Sequence, residues 1–157
     1  MKSDELATIA ALIRSQRQAA LGTLADGAPF VSLVAYATEP DFGGFLLHLS
    51  RLSPHTRHLH ADPCSSLLIT EPDDGRDDPQ TLARITLVGN TEPVSRDHVN
   101  YATARARYLD RLPAAALWFD FPDFMLFRFV PAEARYVGGF ARAYMLTAEH
   151  LRQAAEY

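Results

Sequence analysis

The chain has 157 residues, a typical length for one domain, and its composition of 48% hydrophobic and 22% charged residues is that of an ordinary globular protein. A net charge of -4 argues against general attraction to nucleic acid, and no apolar run approaches the roughly 20 residues of a membrane span. The single cysteine, Cys64, cannot form an internal disulfide, and the N-terminus lacks a signal-peptide pattern, so we expect a cytoplasmic protein with no membrane or nucleic-acid partner.

The N-terminal segment is predicted to form a helix capped by Ser3, because apolar residues recur at helical spacing as far as about Gln18. The pattern then changes to short strand-like runs, and Asp26-Gly27 between the first two is a strong hairpin signal. The predicted strands are 21–24, 30–36, 45–49, 65–70, 83–88, 124–130 and 134–140, and the later helices are 54–61, 97–109 with Asp97 as cap, and a short one capped by Thr147. Short turns between neighbouring strands favour antiparallel pairing in a closed or nearly closed barrel, one domain over 1–157.

The segment 50–63 carries the strongest functional signal. Ser53 is a good N-cap, Pro54 fits the first helical position, and Asp62-Pro63 ends the helix after two turns. Hydroxyls, free backbone N–H groups and guanidinium groups meet at this helix start, and the residues concerned are Ser50, Arg51, Ser53, His55, Thr56 and Arg57. Together they predict an anion site suited to a phosphate, the alternative being a plain cap beside solvated arginines.

Several segments, in this order, resemble the FMN-binding split barrels related to pyridoxamine 5′-phosphate oxidase, and most closely the branch that includes haem-utilisation proteins. The matching segments are 30–36, 49–63, 83–89, 119–124 and 134–142, which together extend over most of the chain. The resemblance implies a mainly β fold with flanking helices, a six-stranded antiparallel split β-barrel of the FMN-binding type. It also implies a two-fold homodimer with the FMN clefts at the subunit interface.

The resemblance assigns expected roles to individual residues. The FMN phosphate would be held by Ser50, Arg51, Leu52, His55, Thr56 and Arg57. Backbone groups would pass beside the flavin at Ser32, Leu33 and Val34. Arg84 would lie near the ring or the phosphate. Gly138-Gly139 and Arg142 would complete the cleft, either in the same chain or as residues contributed by the partner subunit.

Two departures from the family pattern bear on the cofactor. Pyridoxamine phosphate oxidases usually carry an Arg-Lys pair where this chain has Pro54-His55, so one phosphate cation is lost or replaced by His55. The haem-utilisation proteins usually continue into a further C-terminal domain, whereas this chain stops at Tyr157. We therefore expect no contribution to haem binding from such a domain.

Two groups of side chains allow more than one interpretation. The histidines of the 54–61 helix suggest a metal or haem site, but no cysteine or carboxylate stands beside them at metal-ligand spacing. We therefore predict no metal site and leave haem ligation by one histidine open. The aromatic run 118–124 is interpreted as core and dimer packing, and the alternative is a lid over the flavin.

The leading functional hypothesis is an FMN-dependent oxidoreductase acting on an unidentified small molecule. The flavin would carry the electrons, and no residue is identified as catalytic. The alternative is a flavin- or haem-binding module without turnover, and a third hypothesis is a dimeric barrel that has lost its cofactor. The aromatic residues of 119–129 also predict an apolar patch that a two-fold partner would cover.

Overall fold

The computed structural model describes residues 1–139 and 142–157, and in them eight strands form one antiparallel sheet. The helices and strands, in chain order, are α1 Ser3–Ser15, β1 Gln18–Ala25, β2 Ala28–Ala35, β3 Ala37–Thr38, β4 Phe45–Ser50, α2 Pro54–Ala61, β5 Cys64–Thr70, β6 Arg84–Val94, α3 Tyr101–Arg111, α4 Ala116–Phe119, β7 Phe124–Val137, β8 Ala143–Thr147 and α5 Ala148–Ala155. None of the helices in the described ranges is long and apolar enough to cross a membrane.

The sheet curls into a half-barrel with strand order β2-β1-β5-β6-β7-β4-β3, and β8 pairs with β7. The six long strands β1, β2, β4, β5, β6 and β7 confirm the predicted split barrel, and β3 and β8 are short additions. The curl brings β2 back into contact with β4, although the two are not paired. β2 therefore keeps one free edge, which faces this opening.

Two apolar clusters hold the fold together. The larger one fills the inside of the curled sheet beneath α1 and α5, with side chains from every long strand, such as Leu21, Leu67 and Phe127. The smaller one lies where α3 and α4 cover the outer side of β4 and β7, and it includes Tyr108 and Phe119. Burial of these side chains supplies most of the free energy of folding.

The β1–β2 hairpin forms at the predicted turn. Ala25 pairs with Ala28, and the two residues between them have positive φ angles, 51° at Asp26 and 81° at Gly27. This is the backbone that a two-residue hairpin turn requires, and it is why Asp-Gly is such a strong signal.

The prediction of two separate strands at 124–130 and 134–140 was wrong. β7 runs without a break from Phe124 to Val137, through Pro131, because the pairing with β6 shifts register between Val88 and Gly89 and lets the strand bend instead of ending. β8 was not predicted, and Phe140, the end of the predicted second strand, lies outside the described residues.

Two helix boundaries also differ from the prediction. α1 ends at Ser15, because Gln18 already pairs with Ala35 in the β1–β2 ladder, and its N-cap is Lys2. α3 starts at Tyr101, since the backbone before it forms two successive turns and Asp97 bonds to the Ser95 hydroxyl.

Candidate functional site

The segment 50–57 folds as a tight loop that leads into α2. The backbone N–H of Ser53 donates to the carbonyl oxygen of Ser50 at 3.1 Å, and the N–H of Leu52 donates to the Ser50 hydroxyl at 3.2 Å. Thr56 is buried, and its hydroxyl donates to the Ser50 carbonyl oxygen at 2.6 Å. Thr56 therefore fixes the shape of the loop from beneath, and its hydroxyl does not face solvent. Ser53 caps the helix by position only, because its side chain makes no cap hydrogen bond.

Arg51 and Arg57 give this loop its positive charge. Both side chains are exposed, and Arg57 donates to the carbonyl oxygen of Leu52 at 3.2 Å. The backbone N–H of Arg51 donates to the carbonyl oxygen of Asp123 at 2.6 Å, which joins the loop to the start of β7. Neither guanidinium lies within 4.0 Å of a carboxylate oxygen in the described ranges. Their charge is thus available to an anionic ligand.

His55 faces inward from the first turn of α2. Its Nδ1 lies 2.9 Å from the hydroxyl of Ser32 on β2. Its Nε2 is buried without a hydrogen-bond partner, and no other buried side-chain nitrogen or oxygen of the described chain is in that state. Burial, with a smaller effect of the His58 charge, lowers the pKa of His55, which favours the neutral imidazole. A neutral imidazole with one nitrogen oriented by a hydroxyl is a suitable ligand for a transition metal.

A second histidine contact, which the sequence analysis missed, holds α2 against the sheet. His58 Nδ1 lies 3.0 Å from the hydroxyl of Thr23 on β1, and the His58 ring packs edge-on against Phe30 at 5.1 Å between centroids. The i, i+3 spacing of His55 and His58 indicates that both can face the same way from α2. Nothing in the sequence indicated that two neighbouring strands would supply one hydroxyl to each ring.

The predicted residues of β2 divide between its two faces. Ser32 and Val34 face α2 and the core, whereas Leu33 points to the opposite, outer face and is 69% exposed. All eight residues of β2 pair with β1, and no strand of the described chain pairs along its other edge. The backbone groups at that edge make no strand pairing in the described chain.

Arg84, Gly139 and Arg142 lie far from this loop within one chain. Arg84 pairs with Thr70 at one end of β5. Cys64, at the other end of β5, follows α2 and pairs with Asn90. The two ends are six residue steps apart along β5, or about 20 Å. The Arg84 guanidinium donates to the carbonyl oxygens of Gln80 and Leu82 at 2.6 and 3.0 Å.

Gly138 and Arg142 line a polar cavity of about 550 Å³ at the Arg84 end of the sheet. The N–H of Gly138 donates to the carbonyl oxygen of Arg142 at 2.9 Å, and Gly139 has a φ of 103°, which favours glycine. One chain therefore does not bring these residues to the loop at 50–57.

The aromatic run is divided between the core and the surface. Phe119 is buried and stacks on His48 with 3.7 Å between ring centroids and 9° between planes. Burial, aided by the charges of Arg96 and Arg105, lowers the pKa of His48 to about 4. Trp118 and Phe121 are 46% and 44% exposed, and Trp118 packs beside Phe124 at 5.5 Å. Both residues are close in the chain to Asp123, whose carbonyl oxygen accepts the hydrogen bond from the Arg51 backbone just before β7.

A metal site built from protein ligands alone has no candidate in the described part of the chain, where no three histidine, cysteine or acidic side chains group at metal distance. The site therefore consists of an anion-binding loop, an oriented neutral histidine, a free strand edge and exposed apolar side chains. Such a set can bind a flat, anionic organic cofactor.

Comparison with known proteins gives three kinds of likeness. The sequence model of a family described as CREG, beta-barrel matches residues 2–153. Heme oxygenase HOZ, a chloroplast protein of Arabidopsis thaliana, is 37% identical over 129 residues, which are 82% of this chain and 37% of that protein. Heme oxygenase HutZ of Vibrio cholerae is 26% identical over 128 residues, 81% of this chain and 72% of that protein. A solved heme-binding protein from Mycobacterium smegmatis superposes with a TM-score of 0.85 at 30% identity, covering 98% of this chain and 62% of the other.

Proposed function

The chain belongs to the CREG β-barrel family, and from that membership we propose that it binds haem beside α2 and acts in haem utilisation. Three similar proteins support haem as the ligand, since two are named heme oxygenases and one a heme-binding protein. The chain spans 37% of the length of HOZ and 62% of the mycobacterial chain, so haem binding and haem degradation are separate parts of the proposal.

The observation that carries the proposal is the unpartnered Nε2 of His55. The hydroxyl of Ser32 bonds to Nδ1, so the ring is oriented by one nitrogen, and the other, Nε2, is buried without a partner in the described chain. A buried imidazole nitrogen without a partner costs free energy, of the order of 1–3 kcal/mol. Ligation of haem iron by Nε2 would remove this cost, and a proximal histidine is a common haem ligand.

The charged and apolar groups of the loop fit the rest of a haem group. Arg51 and Arg57, which lack carboxylate partners in the described chain, would pair with the propionates. Leu52, which is 74% exposed between them, would cover part of the apolar ring together with Trp118 and Phe121. Bound haem would supply an iron centre able to react with dioxygen, while these residues orient the ring and exclude water from His55.

We include in the proposal a homodimer that forms through the outer face of the sheet. Val31, Leu33, Leu68 and Val88 occupy two adjacent rows of this face and are 38–69% exposed. Gly22 and Ser66, which pair between Val31 and Val88, leave a groove of about 350 Å³. A continuous apolar face with a groove is typical of a two-fold interface. In such a dimer the end of the partner subunit's sheet that carries Arg84 would be available to complete the cofactor cleft beside the loop 50–57.

A second candidate function is the FMN-dependent oxidoreductase, acting on a small molecule. The specific observation in its favour is that the two unneutralised guanidiniums flank a helix start, which is the usual setting for a phosphate. The free edge of β2 would face the flavin ring, whose chemistry is electron transfer. The cationic loop suits a phosphate and propionates equally, so the two candidates must be separated by experiment.

The test is a spectroscopic titration of the purified protein with haemin and, separately, with FMN. We expect one haem per chain, a Soret band that shifts in His55→Ala, and an affinity that falls about tenfold in Arg51→Gln/Arg57→Gln. His60→Ala, an exposed histidine on the same helix, is the matched control and should retain the wild-type spectrum and affinity.

Each result decides between the candidates. Loss of the Soret band under reductant and dioxygen would establish haem degradation, and a stable band would leave a binding module. Retention of FMN without haem would favour the oxidoreductase. Retention of neither, or equal haem binding by His55→Ala and His60→Ala, would contradict the proposed site.

A further inference from the structure

A second cavity, of about 310 Å³, lies between the end of α1, the start of β3 and the second half of α3. Three arginines line it, Arg14, Arg107 and Arg111, together with a single carboxylate, Asp110. No residue of the loop 50–57 belongs to its lining. The cavity is therefore independent of the site proposed for haem.

Two of the three guanidiniums are held in place by backbone carbonyls. Arg111 donates to the carbonyl oxygens of Arg14 and Gln16 at 2.5 and 2.9 Å, at the C-terminal end of α1. Arg14 donates to the carbonyl oxygen of Ala155 at 2.6 Å, and its guanidinium lies 4.9 Å from the centre of the Phe42 ring. Side chains already ordered in this way lose little conformational entropy when a ligand binds.

The single carboxylate at this cavity offsets only part of its positive charge. In residues 1–139 and 142–157 none of the three guanidiniums has a carboxylate oxygen within 4.0 Å. Arg107 and Arg111 stand one turn apart on α3, a like-charge spacing that destabilises a helix. Three arginines and one aspartate leave a surplus of two positive charges at the cavity, in a chain whose net charge is -4.

We infer that this cavity binds a phosphate group, carried by inorganic phosphate or by the phosphate monoester of a small molecule. Guanidinium groups bind phosphate oxygens in pairs, and a phosphate dianion matches the surplus charge. The cavity holds the volume of about ten waters, which is enough for a phosphate and a short organic group. Thr38, which carries a hydroxyl, and the buried Tyr36 also line the cavity.

The experiment titrates inorganic phosphate at constant ionic strength into the Arg51→Gln/Arg57→Gln protein, so that the loop 50–57 contributes no binding. Side-chain Nε–H resonances of arginine, followed by ¹⁵N NMR, report which guanidiniums contact the ion. Arg107→Gln is the test variant, because the Arg107 side chain makes no hydrogen bond or ion pair in the described chain and its loss should not disturb the fold. Arg105→Gln, on the same helix and with the same loss of charge, is the control, since Arg105 lies over Phe119 instead.

We expect saturable binding, shifts confined to Arg14, Arg107 and Arg111, and a loss of affinity of about tenfold in Arg107→Gln but less than twofold in Arg105→Gln. Glycerol phosphate that competes with inorganic phosphate would extend the site to monoesters, and competition by inorganic phosphate alone would restrict it to the free ion. Equal affinity in both variants would show an adventitious ion only and overturn the inference, as would no binding at all. Haem binding by Arg107→Gln should be unchanged, which keeps the two proposals separate.

Discussion

The hydroxyl of Ser32 lies 2.9 Å from Nδ1 of His55, and this contact joins the free-edge strand β2 to the first turn of α2. It sets the orientation of the imidazole ring and leaves Nε2 without a partner. The proposed haem site thus depends on a serine that need not touch the ligand.

Replacement of Ser32 by alanine should weaken haem binding through the orientation of His55. With the hydroxyl removed, both ring nitrogens lack partners, and we expect the free energy of unfolding to fall by about 1 kcal/mol and the haem affinity several-fold. Urea unfolding and a haemin titration measure the two effects. Ser32→Thr keeps a hydroxyl and should restore both. If Ser32→Ala binds haem with wild-type affinity and spectrum, the serine does not position the ring.

A charge on the outer face of the sheet should separate the proposed dimer. Leu33 is 69% exposed in the single chain, and Leu33→Glu would place a carboxylate in this apolar face, at the β2 end of its row. We expect light scattering to give a monomer for this variant and a dimer for the wild type, since an unpaired buried charge strongly disfavours an interface. Val99→Glu, at an 88% exposed position before α3, is the control and should stay dimeric. A wild-type monomer at micromolar concentration would contradict the proposed dimer.

Gly89 should tolerate no side chain, because a Cβ atom there would overlap the carbonyl oxygen of Val130. This close approach occurs where β7 bends at Pro131, and backbone atoms cannot move aside as a side chain can. We expect Gly89→Ala to lower the free energy of unfolding by about 3 kcal/mol in urea denaturation. At Gly22 the new Cβ would meet only the hydroxyl of Ser66, so Gly22→Ala should cost much less. Equal losses in the two variants would refute this explanation of the bend.

The free energy of unfolding should fall as the pH is lowered, because His48 takes up a proton more readily in the unfolded chain. Burial against Phe119 lowers its pKa to about 4, whereas an unfolded histidine titrates near 6.5. Between these values the unfolded chain binds more protons, so the contribution to stability is complete above about pH 6.5 and is lost as the pH falls toward 4. Allowing for partial exposure, the loss is about 1–2 kcal/mol.

Urea unfolding of wild type and His48→Gln between pH 5 and 7 measures this contribution, because the carboxylates common to both proteins cancel in the comparison. The wild type should lose stability more steeply on acidification. The prediction fails if the free energy of unfolding of His48→Gln depends on pH as steeply as that of the wild type.

Local sequence signals predicted most of the fold, and the errors have a physical cause. The Asp26-Gly27 turn and the Pro54 helix start are decided within a few residues, and both were predicted correctly. Two separate strands, 124–130 and 134–140, were predicted here, yet β7 continues through Pro131 because Gly89, distant in sequence, makes room on the paired strand. A contact of this kind depends on register across the sheet, which the pattern of a single segment does not contain.

The candidate site was predictable only where its residues are neighbours in the chain. The loop 50–57 was identified from its own composition and folds as a unit. The pairing of His55 with Ser32 and of His58 with Thr23 was not, since it depends on how α2 docks on β1 and β2. The positions of Arg84 and Arg142 at the opposite end of the sheet likewise follow from strand length, not from residue type.

The bond from Arg14 to the carbonyl oxygen of Ala155 spans 141 positions and packs the first helix against the last. During synthesis, α1 leaves the ribosome long before α5 exists, so its apolar face stays uncovered while the central strands emerge. The larger core can close only after translation reaches α5, and the chain should fold in a late, cooperative step with slow kinetics. Until then the nascent protein is a natural client for chaperones that hold exposed apolar helices.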